Sequence, residues 1–354
     1  MAGDASSRLR TAAVGTLPDV RIPLYHRLYW QARLRAKLAR LTADRRPIVI
    51  GPWHSEVGFE ILYWIPFLRR IQEAKAIGRE RLHVMSRGGV ASWYANLSDS
   101  YADTFDYWTP EEFRERNAAR KARTGREKQD DVSHHEQGLV AHLRLGHAHL
   151  LHPMFMYQVL APFWTGQASY TLADRYLRFD RIAPPQLPDG IRLPKDFIAV
   201  KFYFNPSFPD TPANRRFAAD VIARLARQRP VVLLTTGFRV DEHPEISDVS
   251  VSVTSIGDHL FPRNNLEVQT AVVARARAFV GTYGGFSYVP TFVGVPSYSF
   301  YSDPSKFNPR HLDVMKAASI ELAVPYNAGP LEEFQRLAAA IPVTGRRLEP
   351  ISPH

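Results

Sequence analysis

Residues 278–302 read AFVGTYGGFSYVPTFVGVPSYSFYS. The apolar runs AFVGT (278–282) and SYSFY (297–301) predict two strands, and the residues between them predict a helix near 286–293. Short apolar strands that alternate with helices pair in parallel through right-handed crossovers. The segment therefore indicates an α/β fold.

The same alternation continues on the amino-terminal side of this segment. Further strands are predicted at FIAVKFYF (197–204), PVVLLTT (230–236) and DVSVSVTSI (248–256). A helix capped at Thr211-Pro212 runs to Gln228, another spans 265–278, and Asn264-x-x-Glu267 has the pattern of a capping box. These elements predict a doubly wound α/β domain.

The amino-terminal half shows the pattern less clearly. RPIVIG (46–51) predicts a buried strand and a turn, with Ser55 as the cap of a helix that Pro66 shortens. RLHVMSRGG (81–89) repeats strand and Gly-rich turn, with SWYANL as a possible helix. Residues 109–136 are highly charged, which is typical of a solvated helix pair or an excursion from the domain.

We therefore predict two Rossmann-like, doubly wound domains facing a cleft, with a basic amino-terminal helical arm. The proline-rich stretch 183–194 is the best candidate for a linker. The expected boundaries are an arm at 1–45, an acceptor-side domain at 46–182 and a donor-binding domain at 195–345.

Composition limits the class of protein. Of 354 residues, 45% are hydrophobic and 23% charged, which is typical of a globular protein with a sizeable core. No stretch approaches the roughly 20 apolar residues of a membrane-spanning helix, and no secretory signal is visible. The absence of cysteine excludes disulfides and fits a cytoplasmic location.

The formal net charge of +10 is unevenly distributed. Residues 1–46 contain ten Lys and Arg against three acids, so most of the excess belongs to the arm and nucleic-acid binding is not expected. Within 24–41, Trp30, Leu34, Leu38 and Leu41 fall at helical spacing beside a basic face. Such a helix either lies on an anionic membrane surface or packs on the body of the protein.

The turn after strand 278–282 is a candidate anion site. Gly284 and Gly285 before a helix start let backbone N–H groups point outward, and Thr282, Tyr283 and Ser287 add hydroxyls. The alternative is a tight turn without a ligand. The pattern is neither G-x-G-x-x-G nor a Walker A loop.

Residues 264–302 resemble the donor-binding half of GT-B glycosyltransferases. The resemblance implies an amino-terminal domain that binds the acceptor, a carboxy-terminal domain that binds a nucleotide sugar, and no metal or other cofactor. It also implies that GPWHSEVGFE (51–60), the loop after the first strand, faces the acceptor. An inverting reaction would then need a base in that loop.

Glu56 is the first candidate base, followed by His54 and Glu60. The alternative is an acid placed at a helix start by the helix dipole, without function. Other candidates on the acceptor side are Trp53, Ser55, Arg87 and His152.

Cations near the donor could neutralise a departing diphosphate. The candidates are Lys201, Arg215 and Arg263, each with a solvated surface position as the alternative. Glu267 could hold the donor ribose, or it could serve only in the capping box with Asn264.

Six of the thirteen histidines fall within 134–152, and a spacing of seven would place His135, His142 and His149 on one helical face. No known zinc motif accompanies them, so no metal is predicted. The expected function is transfer of a sugar to a glycan or glycolipid in bacterial surface-polysaccharide synthesis. The alternatives are a polysaccharide pyruvyl- or O-fucosyl-type transferase and a non-catalytic nucleotide- or glycan-binding module.

Overall fold

A computed structural model describes residues 21–124, 129, 131–238, 244–246 and 251–336. The first of its two sheets has four parallel strands in the order β3-β2-β1-β4. Their bounds are β1 (Ile48–Ile50), β2 (Leu82–Ser86), β3 (Ser100–Asp103) and β4 (His149–Leu151).

The second sheet has six parallel strands in the order β10-β9-β8-β5-β6-β7. Numbered from β5, this is the order 6-5-4-1-2-3 of the Rossmann fold, and the first sheet has the order of that fold's first four strands. The strands are β5 (Ile198–Lys201), β6 (Val231–Leu233), β7 (Thr254–Ser255), β8 (Ala278–Thr282), β9 (Ser297–Tyr301) and β10 (Tyr326–Pro330).

Helices or 3₁₀ turns connect most successive strands in the described part of the chain. A π-helical turn, Glu60–Trp64, lies between α2 and α3, and a 3₁₀ turn, Gly285–Tyr288, leads into α10. The helices are α1 (Leu24–Ala43), α2 (Val57–Phe59), α3 (Ile65–Lys75), α4 (Pro110–Thr124), α5 (His134–Ala141), α6 (Met154–Trp164), α7 (Tyr170–Tyr176), α8 (Pro212–Ala226), α9 (Asn265–Val273), α10 (Val289–Phe292) and α11 (Pro309–Glu321).

Both faces of the second sheet are covered. Ile198 and Val200 of β5 pack with the apolar side of α8, while Ala199 belongs to the opposite core with residues of α9. Successive strand side chains point to opposite faces, so a strand buried on both sides has no polar alternation. The α/β, doubly wound class predicted from the sequence is confirmed.

The amino-terminal helix packs on the body of the protein. Trp30, Leu34, Leu38 and Leu41 are buried, and the rings of Trp30 and Phe155 in α6 meet edge to face at 6.2 Å. The predicted helix is therefore present, with its apolar face turned inward. Residues 1–20 of the predicted arm lie outside the described residues.

Several local predictions differ from the structure. Glu56, not Ser55, is the residue before α2, and no side chain caps that helix. Asn264 makes no capping bond to α9 because its amide oxygen accepts from the Phe261 N–H at 2.7 Å. The cap at Thr211 is confirmed. SWYANL forms a 3₁₀ turn rather than an α-helix.

The charged stretch 109–136 contains α4 and the first turn of α5, and residues 125–128 and 130 lie outside the described part of the chain. Residues 248–250 of a predicted strand also lie outside the described part, and only Thr254–Ser255 of that strand pairs. The segment 183–194 contains no helix or strand. Its assignment as a linker, like the domain boundaries, stays a prediction.

Candidate functional site

A cleft of about 1220 Å³ lies where the carboxyl ends of strands from both sheets face each other. Ser55 and Glu56 follow β1, Arg87 follows β2, Lys201 ends β5 and Tyr283 follows β8. Ligands of open α/β sheets bind outside the carboxyl ends of strands, where the strand order reverses. In the second sheet that point lies between β5 and β8.

The loop after β1 brings one carboxylate into the cleft. Glu56 is exposed and immediately precedes α2, and it lines the cavity together with Ser55. Ser55 is buried, and its Oγ accepts a hydrogen bond from the Tyr157 hydroxyl at 2.8 Å. Trp53 lies behind them, stacked between Trp64 and Tyr157 at 6.0 and 6.1 Å. Of the two glutamates in the predicted loop, Glu56 is therefore the one that lines the cavity.

His54 is enclosed by protein. Its ring packs against Trp108 and Phe113, and Nε2 lies 3.2 Å from the Thr104 hydroxyl. Burial, with the nearby cations Arg120 and Arg87, lowers the pKa of His54 to about 3 against the opposing effect of Glu136. An imidazole with so low a pKa is a weak base at neutral pH.

Glu60 is fully buried in the π-helical turn and does not line the cleft. Its Oε1 accepts hydrogen bonds from the hydroxyls of Ser86 and Tyr94, the latter at 2.7 Å. Burial raises the pKa of Glu60 to about 7, although these two hydrogen bonds act in the opposite direction. The two glutamates of the loop therefore occupy very different environments.

Arg87 reaches the cleft from the turn after β2. It is 2% exposed, donates to the Ser55 carbonyl oxygen at 3.0 Å and lies over the Phe113 ring. The hydrogen bond connects the loops after β1 and β2. Arg87 therefore both orders the wall and presents positive charge to the cavity.

The Gly-rich turn after β8 lines the cleft, but its Phe286 amide faces protein. The Tyr203 hydroxyl accepts a hydrogen bond from the Phe286 N–H, and a Cβ on Gly284 would overlap that hydroxyl. A Cβ on Gly285 would overlap the N–H of Gly58 in α2. Glycine is therefore needed here for close packing. A phosphate at the Phe286 amide would have to displace Tyr203.

The three residues whose hydroxyls were predicted beside this turn, Thr282, Tyr283 and Ser287, are all buried. Thr282 Oγ1 donates to the Tyr203 carbonyl oxygen at 2.8 Å and accepts from the Tyr203 N–H at 3.0 Å. Ser287 Oγ donates to the Gly284 carbonyl oxygen at 2.8 Å and meets the Tyr326 hydroxyl at 3.0 Å. Neither residue lines the cleft, whereas Tyr283 does.

Lys201 is a buried cation at the end of β5. Nζ forms an ion pair with Glu245, donates to the Leu234 carbonyl oxygen at 3.0 Å and lies 5.3 Å from the centroid of the Phe286 ring. Lys201 and Glu245 both line the cleft. Lys201 is therefore buried, and it does not have the solvated surface position that the sequence left as the alternative.

The remaining predicted residues do not line the cavity. Arg215 pairs with Asp210, which is itself at the cavity edge, and Arg263 pairs with Asp106. Burial, together with the charge of Asp103, raises the pKa of Glu267. His152 is buried, with Nδ1 accepting from the Met154 N–H at 3.1 Å and Nε2 3.3 Å from Glu136.

Sequence reasoning missed the basic face of α4. Arg114, Asn117 and Lys121 recur at i, i+3 and i+7, so they share one side of the helix, and all three line the cleft. Arg120 and Lys306 add positive charge to the same cavity. The spacing was visible in the sequence, but a charged helix more often faces only water.

The described residues contain no group of three or more His, Asp or Glu side chains that could hold a metal ion. The three histidines at a spacing of seven are divided among α5, the residue after α5 and β4. They therefore share no helical face.

Comparisons give structural likeness without a family. No protein-family model matches the chain, and neither does any curated protein. Similar solved structures include E. coli ADP-heptose lps heptosyltransferase II, with 12% identity, a TM-score of 0.45 and coverage of 83% of this chain and 99% of that one. E. coli heptosyltransferase WaaC with ADP has 15% identity, a TM-score of 0.44 and the same coverages.

A glycosyl transferase family 9 protein from Veillonella parvula is also similar, with 13% identity and a TM-score of 0.42 over 86% of this chain and 92% of that one. TM-scores below 0.5 do not assign the chain to a family.

Proposed function

We propose that the chain is a metal-independent, inverting glycosyltransferase. It would move a sugar from a nucleotide-sugar donor to a glycan or glycolipid in bacterial surface-polysaccharide synthesis. The observation that carries this proposal is the cleft at the carboxyl ends of both sheets, which has an exposed carboxylate on one side and a basic lining.

The charge of the lining fits a diphosphate leaving group. Cations outnumber acids among the lining residues, and positive charge placed where negative charge develops lowers the barrier without a metal. The cations are Arg87, Arg114, Arg120, Lys121, Lys201 and Lys306, and the acids are Glu56, Asp210 and Glu245. Glu245 already pairs with Lys201.

Glu56 is the group we assign as general base. In an inverting transfer, the carboxylate accepts the proton of the acceptor hydroxyl as that oxygen attacks the sugar's anomeric carbon, and the diphosphate leaves with the bonding electron pair. The base must reach the acceptor from the side opposite the leaving group. Glu56 follows β1 of the first sheet, and Lys201 ends β5 of the second.

The start of α1 suggests where the reaction takes place. Leu24, Tyr25, Leu28 and Tyr29 are 53–74% exposed, and the sequence has no acid between Arg21 and Asp44. No helix in the described part of the chain is long and apolar enough to cross a bilayer. We propose that this apolar, basic helix end rests on the anionic cytoplasmic membrane surface, near a lipid-linked acceptor.

A ligand screen followed by a turnover assay tests the enzymatic proposal. Nucleoside diphosphates and nucleotide sugars are screened by thermal shift, and a ligand at 100 times its dissociation constant should stabilise the protein by about 2.7 kcal/mol. The selected donor is then incubated with bacterial glycolipid extract, and release of nucleoside diphosphate is measured. Binding without release would favour the non-catalytic alternative, and no binding would contradict both.

Vesicle sedimentation tests the membrane proposal. The protein should sediment with phosphatidylglycerol vesicles but not with phosphatidylcholine vesicles, and Tyr25→Ser/Leu28→Ser/Tyr29→Ser should reduce sedimentation. The matched control is Phe261→Ser/Ile320→Ser, which removes exposed apolar side chains elsewhere. Equal loss in both variants, or none in either, would contradict the assignment of this helix end.

A further inference from the structure

Two amide side chains of α9 line the cleft where α9 meets the first sheet. Asn265 is 4% exposed and Gln269 is 1% exposed, and the i, i+4 spacing places them on one side of the helix. The N–H groups of Leu266 and Glu267 donate to the Gly88 carbonyl oxygen at 3.0 and 3.2 Å. The pair therefore lies at the junction between the turn after β2 and the second sheet.

Each of these side chains has a buried oxygen without a partner. Asn265 Oδ1 and Gln269 Oε1 accept no hydrogen bond from any residue in the described part of the chain. Gln269 Nε2 donates to the Asn265 carbonyl oxygen at 3.0 Å. Turning the amide over would bring two oxygens together, so the unsatisfied Oε1 is fixed in place.

The neighbouring residue shows that α9 can satisfy a buried polar group. Thr270 Oγ1 donates to the Leu266 carbonyl oxygen at 2.6 Å and accepts from Trp93 Nε1 at 3.1 Å. Thr270 does not line the cleft, whereas Asn265 and Gln269 do. Buried polar atoms are nearly always paired in folded proteins. Within α9, the unpaired buried side-chain atoms therefore belong to the two residues that line the cavity.

We infer that Asn265 and Gln269 form a subsite that accepts hydrogen bonds from the hydroxyl groups of the transferred sugar. An amide oxygen needs a donor, which a sugar hydroxyl supplies and an ionised phosphate oxygen does not. The transferred sugar must lie between donor and acceptor, and the pair occupies the junction between the two sides. This inference rests on the proposed function.

Replacement of Gln269 by methionine tests the subsite because it removes the acceptor and keeps the length of the side chain. Dissociation constants are measured for the nucleotide sugar selected by the screen and for its nucleoside diphosphate. We expect about tenfold weaker binding of the nucleotide sugar, the effect of one good hydrogen bond, and unchanged binding of the diphosphate. Asn265→Leu should act in the same direction.

Other outcomes overturn the inference. Equal weakening of both ligands would place the nucleoside at this subsite, and no weakening of either would leave the sugar elsewhere. Thr270→Val is the matched control, since it removes a satisfied hydroxyl from the same helix. That variant should bind both ligands as the parent protein does.

Melting temperatures without ligand give a second readout. We expect Gln269→Met to melt close to the temperature of the parent protein, because removal of an unpaired buried oxygen offsets the lost hydrogen bond from Nε2 to the Asn265 carbonyl oxygen. Thr270→Val should melt lower. A loss in Gln269→Met as large as that in Thr270→Val would mark Gln269 as structural. If no nucleotide sugar binds the parent protein, the proposed function fails, and the melting comparison still shows whether α9 holds a vacant acceptor.

Discussion

The loop after β1 and the turn after β8 meet across the cleft, and their polar groups have different environments. Each follows a buried strand and contains glycine, and a Cβ on Gly58 would overlap the Cα of Gly285. The loop after β1 leaves the Glu56 carboxylate exposed to the cavity. In the turn after β8, the Phe286 N–H donates to the Tyr203 hydroxyl, and the Ser287 hydroxyl donates to the Gly284 carbonyl oxygen.

This difference in environment decides which polar groups can meet a ligand. A polar group that is enclosed by protein and hydrogen-bonded must give up a partner before it binds a ligand, whereas the Glu56 carboxylate is exposed at the cavity. This comparison supports the proposal that the loop after β1 supplies the general base. The turn after β8 binds an anion only if Tyr203 moves.

The largest expected effect is that of Glu56→Gln. Removing a general base should lower kcat by about two to four decades, while the dissociation constant of the nucleotide stays close to that of the parent protein. The turnover assay measures kcat, and a direct binding titration measures the dissociation constant of the nucleotide. Glu115→Gln, an exposed carboxylate of α4 that does not line the cleft, is the control. Undiminished turnover would remove Glu56 from the mechanism.

A second prediction concerns the buried glutamate of the same loop. Glu60 has a pKa of about 7 in the folded protein and an ordinary value near 4.5. The folded state therefore holds a proton that the unfolded state has lost, and stability falls as the pH rises from about 4.5 to 7.

Glu60→Gln should remove this pH-dependent loss of stability, because an amide side chain does not titrate. The variant should gain stability relative to the parent protein between pH 5 and pH 8, by at most roughly 3 kcal/mol. Urea denaturation at both pH values measures the difference, again with Glu115→Gln as control. A difference that does not change with pH would show that Glu60 is ionised throughout.

The glycine contact between the two loops gives a third prediction. Gly58→Ala should destabilise the protein by about 1–3 kcal/mol because its Cβ would press on the Gly285 backbone. Gly138→Ala in α5 is the matched control, since a Cβ there meets nothing within 4 Å and alanine favours a helix by up to about 1 kcal/mol. Chemical denaturation measures the free energy of unfolding of both variants. Equal stability of the two variants would mean that the loops do not touch.

The smallest expected effect tests the turn after β8. Tyr203→Phe removes the hydroxyl that occupies the Phe286 N–H. If a diphosphate binds these amides, it no longer competes with that hydroxyl, and its affinity should rise by about three- to tenfold. Calorimetric titration with the selected nucleoside diphosphate measures the change. Unchanged or weaker binding would place the phosphates elsewhere in the cleft.

The sequence was most informative where strands are apolar and helices follow at once. The segment 278–302 forms β8, a 3₁₀ turn, α10 and β9 as its pattern predicts. β3 and β4 were missed because SYAD and HLL are short and partly polar, so their pairing depends on neighbours distant in sequence.

The lining of the cleft was harder to predict for a similar reason. Glu56, Arg87 and Lys201 were identified because each follows an apolar strand. The α4 side chains lie within a uniformly charged stretch, where nothing local distinguishes the face that meets the cleft. Asn265 and Gln269 gave no signal, since only the structure shows which amide oxygens lack partners.

The two hydrogen bonds from the first amides of α9 to the Gly88 carbonyl oxygen restrict how the two sides of the cleft can move relative to each other. The Gly58–Gly285 contact, the Trp93–Thr270 hydrogen bond and the Arg263–Asp106 ion pair also join the two sides of the cleft. A substrate too large for the resting cavity would therefore have to break several of these contacts to enter.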